Sequence, residues 1–200
     1  MVKRALDLIL SLVGLFFIFP FLLAIAMRIK LEDGGPVFYR GVRAGRYGKP
    51  FRIFKFRTMV VDAEKLGGAS TADDDPRITR IGKFLRQYKL DELPQFINVL
   101  KGEMSFVGPR PEVEQEVSLY NEKEKALLGV RPGITDYGSI RFHNEGEILE
   151  GSEYPHEAYR RLIRPEKIRL GLEYVKNQSL RTDLKILMKT FTTLISARVK

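Results

Sequence analysis

The sequence predicts an α/β fold dominated by helices, with a membrane-embedded helix at its N-terminus. Three observations carry that expectation. The first 30 residues hold one long uncharged apolar run, residues 31–60 hold the clearest strand patterns, and most of the remainder repeats apolar residues at helical spacing. A length of 200 residues fits one domain of ordinary size with an appendage. The expected division is residues 1–30 as a membrane anchor and 31–200 as a domain at the membrane surface.

The anchor is residues 8–27, LILSLVGLFFIFPFLLAIAM, twenty residues without a charge. That is about the ~20 residues a helix needs to cross a ~30 Å hydrocarbon core. It is long for a cleaved signal peptide, and no A-x-A site precedes a polar start. A simple crossing conflicts with two details. Lys3 and Arg4 flank the front and Arg28 and Lys30 the back, so the positive-inside rule draws both ends to the cytoplasm. Pro20 lacks an N–H and should kink the helix. Together these suggest a re-entrant helical hairpin that enters one leaflet and returns; a tilted transmembrane helix with a tolerated proline stays open.

Next come strand patterns at 37–39 and 51–56, with Gly41, Gly45 and Gly48 between them, which predict a short β-hairpin. Residues 62–77, DAEKLGGASTADDDPR, read as a loop. Ile78, Ile81, Leu85 and Tyr88 predict an amphipathic helix. A second helix follows, with Asp91 as N-cap, Pro94 in the first turn, an apolar stripe of Leu93, Phe96, Ile97 and Leu100, and a stop at Lys101-Gly102. A short apolar piece at 104–107 leads into Gly108-Pro109-Arg110-Pro111. Residues 112–128 look helical, Arg131-Pro132-Gly133 is a turn, and further helices are expected near 155–176 and 180–196. The last carries Leu184, Leu187, Met188, Phe191 and Leu194 on one side, with Lys185 and Lys189 interspersed; that face suits either a core or a membrane surface.

Composition narrows the chemistry. The absence of cysteine removes disulfides, Cys-ligated zinc, iron–sulfur clusters and a cysteine nucleophile. Two histidines, His143 and His156, are too few for a multi-His metal site and leave a Ser–His–Asp hydrolase little to work with. A net charge of +9 favours anionic partners: nucleic acid, an anionic membrane surface or phosphorylated substrates.

The densest polar constellation is Arg80, Arg86, Asp91-Glu92, Arg110 and Arg131. An Asp-Glu pair before a helix is most often a cap. Its setting argues for more. Helix-start N–H groups bind phosphate, and Arg110, held between Pro109 and Pro111, suits a fixed bidentate phosphate contact. A carboxylate beside guanidiniums is expected to stay ionised and to serve as nucleophile or metal ligand. Lys55 and Arg57 alternate with Phe54 and Phe56, which reads first as a solvated strand face. A single-strand nucleic-acid platform can be built the same way, but no nucleic-acid motif accompanies it. The run Asp73-Asp74-Asp75 reads as a solvated loop before it reads as a cation site.

The segment DPRITRIGKFLRQYKLDELPQFINVLKGEMSFVGPRPE, residues 75–112, closely resembles the catalytic core of the bacterial sugar transferases, the monotopic phosphoglycosyl transferases. KFRTM at 55–59, RPGIT at 131–135 and the basic-flanked apolar run with its central proline match in the expected order. The resemblance covers essentially the whole chain. It implies transfer of a sugar-1-phosphate from a UDP-sugar to a polyprenol phosphate, undecaprenyl phosphate being expected, with release of UMP. This would be the first membrane step of glycan assembly, in exopolysaccharide, capsule, O-antigen or glycoprotein pathways. It further implies a ping-pong sequence through a phosphosugar–aspartate intermediate, with Mg²⁺. The dyad maps onto Asp91, as nucleophile and metal ligand, and Glu92, as an aid to proton transfer or orientation. Substrate binding maps onto Lys55, Arg86, Pro109, Arg110, Pro111 and Arg131, the last within the RPGIT match. The implied setting is the bacterial cytoplasmic membrane, with a re-entrant anchor, interfacial amphipathic helices and an active site facing the cytoplasm. The implied partners are the UDP-sugar, the polyprenol phosphate and membrane lipid, without nucleic acid. A homodimer is compatible with the sequence but has no signal in it.

Two departures from the family pattern stand out. After RPGIT the family commonly continues with Gly, often followed by Leu/Trp-Ala-Gln; here it is Asp136-Tyr137-Gly138-Ser139-Ile140, so no particular sugar carries over. Phe19 precedes Pro20 where some members have a small polar residue, which leaves the kink geometry open. The chain is expected to correspond to the family's minimal catalytic unit. Two rival functions are a glycosyltransferase that releases UDP and a membrane-tethered basic module without catalysis.

Overall fold

The computed structural model describes residues 2–66 and 70–196. It is helix-dominated, with short strands, as expected. Helix α1 (Val2–Asp33) takes up the whole apolar run and both basic flanks. At 1.5 Å per residue its 32 residues extend about 48 Å. Pro20 lies inside it, so the run forms one helix rather than two joined by a turn. Most of its apolar side chains are uncovered by protein: Phe16 is 78% exposed and Phe21 69%.

Both ends of α1 are nevertheless fastened to the rest of the chain. Near its start, the Arg4 guanidinium donates to the carbonyls of Val99 (2.6 Å) and Leu100 (3.1 Å). Lys3 reaches the Val107 carbonyl and Asp183, and buried Asp7 accepts from the Ser105 hydroxyl and the Phe106 N–H. Near its end, Ile29 is buried with Phe56 and Leu85. Asp33 pairs with Arg57 (2.6 Å), and Glu32 accepts from the N–H groups of Arg80 and Ile81. Each end thus satisfies orphan backbone groups of another helix.

The expected hairpin is present and interrupted. Strands β1 (Phe38–Tyr39) and β4 (Lys55–Phe56) pair antiparallel, Phe38 opposite Phe56; β2 (Val42–Ala44) and β3 (Pro50–Arg52) pair antiparallel around a 3₁₀ turn at Arg46–Gly48. The 62–77 stretch is not wholly loop: a single turn, α2 (Ala63–Leu66), forms in it, and 67–69 lie outside the described residues. Helix α3 (Arg80–Gln87) starts at Thr79, whose hydroxyl accepts from the Gly82 N–H. Helix α4 (Gln95–Lys101) ends on Gly102 at φ +84°, the left-handed conformation glycine tolerates.

Strand β5 (Ser105–Val107) pairs in parallel with β6 (Gly133–Thr135). The 112–128 segment is not one helix. It breaks into α5 (Glu114–Val117) and a 3₁₀ stretch at Glu124–Gly129. Then follow α6 (Tyr137–Arg141), α7 (Glu145–Leu149), α8 (Pro155–Leu162), α9 (Arg164–Lys176) and α10 (Leu180–Ser196). The interior is several small apolar clusters, among them Phe51, Ile53, Val99 and Met104 around α4, and Val107, Tyr174 and Ile186 under α10. On α10 the buried positions are Asp183 and Ile186, whereas Leu184, Met188 and Phe191 are exposed. Of the stripe read from the sequence, Leu184, Met188 and Phe191 therefore face away from the core, while Leu187 packs against it.

Candidate active site

The site is built where β4, the α3–α4 connection and the turn after β5 meet. Asn98, buried in α4, accepts from the Phe54 N–H (2.7 Å) and donates to the Arg52 carbonyl (3.0 Å) and to Glu103. One side chain thereby fixes the strand edge against α4. Lys55 on β4 is then held beside the connection, with Phe56 beyond it in the core. The connection turns sharply: Lys89 adopts φ +55°, and residues Leu90–Glu92 form a 3₁₀ turn.

Asp91 is not a helix cap. Helix α4 begins later, at Gln95, with Pro94 in the cap position and no side chain capping it. Asp91 is instead buried at 7% exposure; its Oδ2 lies 3.6 Å from Lys55 Nζ and its Oδ1 has no hydrogen-bond partner. Glu92 is fully engaged. It accepts from Lys55 Nζ (2.7 Å) and from both terminal nitrogens of Arg110, Nη1 at 3.2 Å and Nη2 closer.

The two carboxylates therefore differ. Burial pushes the Asp91 carboxyl above its ordinary range, against the opposing charge of Lys55. Burial would do the same to Glu92, but the charges and hydrogen bonds of Arg110 and Lys55 outweigh it and hold Glu92 well below its usual range. Arg110 is raised in turn by the Glu92 charge. The two acids are thus pushed in opposite directions, because Glu92 takes the hydrogen bonds of both cations and Asp91 takes none. Two neighbouring acids pushed apart in this way are a recurrent arrangement for acid and base roles.

Arg110 owes its position to close backbone packing. Buried Pro109 and Pro111 flank it. The Gly133 N–H donates to the Pro109 carbonyl (2.9 Å) and the Gly108 N–H to that of Thr135 (3.1 Å). A Cβ on Gly133 would fall on the Gly108 backbone nitrogen, so only glycine permits this approach. A small pocket opens beside Arg110, lined by Glu116, Tyr120, Asp136, Tyr159, Arg164 and Lys167 among others.

The structure thus brings Asp91, Glu92, Lys55 and Arg110 together, with Pro109 and Pro111 as the frame. Arg86, in the last turn of α3, acts on Asp91 through its charge, with no direct contact to it. Arg131 is apart: its Nε donates to the Gly102 carbonyl, beyond the far end of α4 from the dyad. Arg57 is no solvated strand residue; it is buried against Asp33. Asp136, the departure after RPGIT, caps α6 through the Ser139 N–H (2.6 Å). Asn98 and Arg164 were not singled out in the sequence. Asn98 hides among apolar helix positions, and Arg164, with a buried partnerless Nη2, lies far along the chain.

Among the described residues there is no group of three or more His, Cys, Asp or Glu placed to hold a metal. Asp75 pairs with Arg77, and Asp74 accepts from the Gly151 N–H. His156 meets Ser70 and Glu116.

The profile of the bacterial sugar transferase family matches residues 1–197. The chain belongs to the bacterial sugar transferase family. This transferase is similar to a UDP-N-acetylgalactosamine-undecaprenyl-phosphate N-acetylgalactosaminephosphotransferase of Aeromonas hydrophila, 37% identical over 98% of the chain and 44% of that protein. It is also similar to a UDP-glucose:undecaprenyl-phosphate glucose-1-phosphate transferase of Escherichia coli K12, 39% identical over 95% of the chain and 39% of that protein. The exopolysaccharide production protein ExoY of Sinorhizobium fredii is 32% identical, over 98% of the chain and 86% of its own length. The sugar transferase chain spans less than half the length of the first two of these relatives.

Proposed function

We propose that this protein moves a sugar-1-phosphate from a UDP-sugar to a polyprenol phosphate, undecaprenyl phosphate in the bacterial cytoplasmic membrane. The observation that carries this reading is a buried carboxylate, Asp91, with one oxygen free of partners, set among Lys55, Glu92 and Arg110. That is what in-line phosphoryl transfer asks of a protein: a held nucleophile and cations for the non-bridging oxygens. The names of the relatives add the substrates.

The reaction runs in two displacements. An Asp91 oxygen attacks the β-phosphorus of the UDP-sugar; the bond to the bridging oxygen breaks and UMP departs with it. An oxygen of the polyprenol phosphate then attacks the same phosphorus, the bond to Asp91 breaks, and the carboxylate is restored. Lys55 and Arg110 bind the phosphates, Glu92 pairs with both cations in the unliganded site, and the Pro109–Pro111 frame fixes Arg110. Asp91 has to be deprotonated to attack, which the approach of Lys55 favours. One partnerless carboxylate oxygen fits Mg²⁺, which commonly takes one or two protein carboxylates and completes its shell with water and phosphate oxygens. Bound there, it would neutralise phosphate charge.

We read α1 as a re-entrant anchor. Support comes from its exposed apolar surface and from both of its ends being fastened to one domain through Arg4, Asp7, Glu32 and Asp33. The outward Leu184, Met188 and Phe191 on α10, beside the start of α1 through the Lys3–Asp183 pair, fit an interfacial helix. The reaction then takes place at the cytoplasmic face, where the acceptor's phosphate lies.

The test is nucleotide release. With undecaprenyl phosphate, Mg²⁺ and a panel of UDP-sugars, the purified protein should release UMP from one donor. Asp91→Asn should lower that rate by about a thousandfold or more, as loss of a nucleophile does. Release of UDP would make the protein a glycosyltransferase instead.

A further inference from the structure

Lys55 and Arg110, the two cations closest to the dyad, already share one anion, and that anion is protein. The Glu92 carboxylate takes Lys55 Nζ at 2.7 Å on Oε1 and both terminal nitrogens of Arg110 across its two oxygens. This is the fork geometry by which a guanidinium grips carboxylate and phosphate alike. The backbone that carries each cation is held in place. Arg110 is set between two buried prolines on a turn fastened by Gly133 N–H to the Pro109 carbonyl, and Lys55 sits on a strand edge stitched to α4 by Asn98. Glu92 is on the end of a 3₁₀ turn, on a side chain with three rotatable bonds. Asp91, next to it, gets only the remainder of the Lys55 charge, at 3.6 Å.

We propose that Glu92 is an internal stand-in for phosphate: its carboxylate sits in the seat that a phosphate of the incoming donor takes, and the donor binds by exchanging with it on Arg110 and Lys55. The exchange keeps the two half-buried cations paired whether or not a phosphate is present, which matters because a desolvated charge left unpaired is destabilising. It also sets affinity for phosphorylated ligands as a difference between two anions rather than the full strength of the site. A Glu92 that merely propped the cations in place would act in the opposite sense, since its removal would then weaken phosphate binding.

The inference rests on the reading that this site takes a phosphorylated donor. The experiment titrates UMP and inorganic phosphate against wild type and Glu92→Gln in nanodiscs, and measures KM and kcat for the donor that releases UMP. Exchange predicts that Glu92→Gln binds UMP about tenfold more tightly, the equivalent of one charge-assisted hydrogen bond no longer competed for. The donor KM falls with it and kcat falls too. Inorganic phosphate should also raise the thermal midpoint of Glu92→Gln more than that of wild type. If Glu92→Gln is too unstable to titrate, Glu92→Asp, too short to span both cations, should show the same direction with a smaller change. Equal or weaker UMP binding in these variants, or a raised donor KM, overturns the exchange while leaving the transfer reaction intact. Wild type that releases no UMP and binds none overturns the reading beneath it.

Discussion

Asp33 and Arg57 join the end of α1 to the strand edge that carries Lys55. Arg57 and the Gly35 N–H hold the Asp33 carboxyl down from its ordinary 3.8 to about 2. A carboxyl lowered on folding stabilises the native state above its unfolded value, and that contribution disappears as pH falls towards the folded value. The pair should therefore stabilise fully above about pH 4 and lose its effect between pH 4 and 2. Asp33 is partly exposed, so its net worth is about 1 kcal/mol after solvent screening. Asp33→Asn should lower the thermal midpoint at pH 7 and converge with wild type near pH 2; a constant difference down to that pH would show that the pair contributes through packing instead.

The elements show what the sequence made legible. Helices α3 and α10 were readable because periodic apolar positions are a local signal, whereas the 155–176 stretch, read without a break, divides into α8 and α9 at Ile163. Local signals also marked the apolar run and the stop at Gly102. The site was legible through motif residues close in sequence, Asp91, Glu92 and the Pro109–Pro111 frame, and through the spacing of KFRTM. What stayed hidden depends on distant pairing. The β5–β6 ladder joins residues nearly thirty apart, the break within 112–128 has no proline or glycine to mark it, and the rotation of α10 is set by Asp183, Ile186 and Thr190 against the core. At this scale Gly133 is the sensitive position. Gly133→Ala must push β6 off Gly108, at a cost of about 1–3 kcal/mol for overpacking, and move Arg110 with it. A shift of ~1 Å at a positioning residue lowers turnover by about a hundredfold. The variant should keep its helical circular dichroism and lose turnover to that degree; full activity would mean that Arg110 is positioned by its prolines alone.

Across the whole molecule, the placement of α1 decides which compartment each end faces. The chain has no cysteine, so introduced ones report cleanly. Val2→Cys and Leu31→Cys, near opposite ends of α1 and both exposed, should resist an impermeant maleimide applied to intact cells and react after permeabilisation. Labelling of one from outside would establish a crossing helix. The clasp at the start of α1 joins residues far apart in sequence. Lys3 finds its partner in Asp183, 180 positions later, and Tyr174 donates to that same carboxylate. Asp91, Glu92 and Arg110 all lie before α10, yet without that helix Lys3 loses its counter-ion and Val107 the cover of Ile186. Helix α10 is thus a latch on the anchor: it carries none of the chemistry, and its Asp183 ties the foot of α1 to β5.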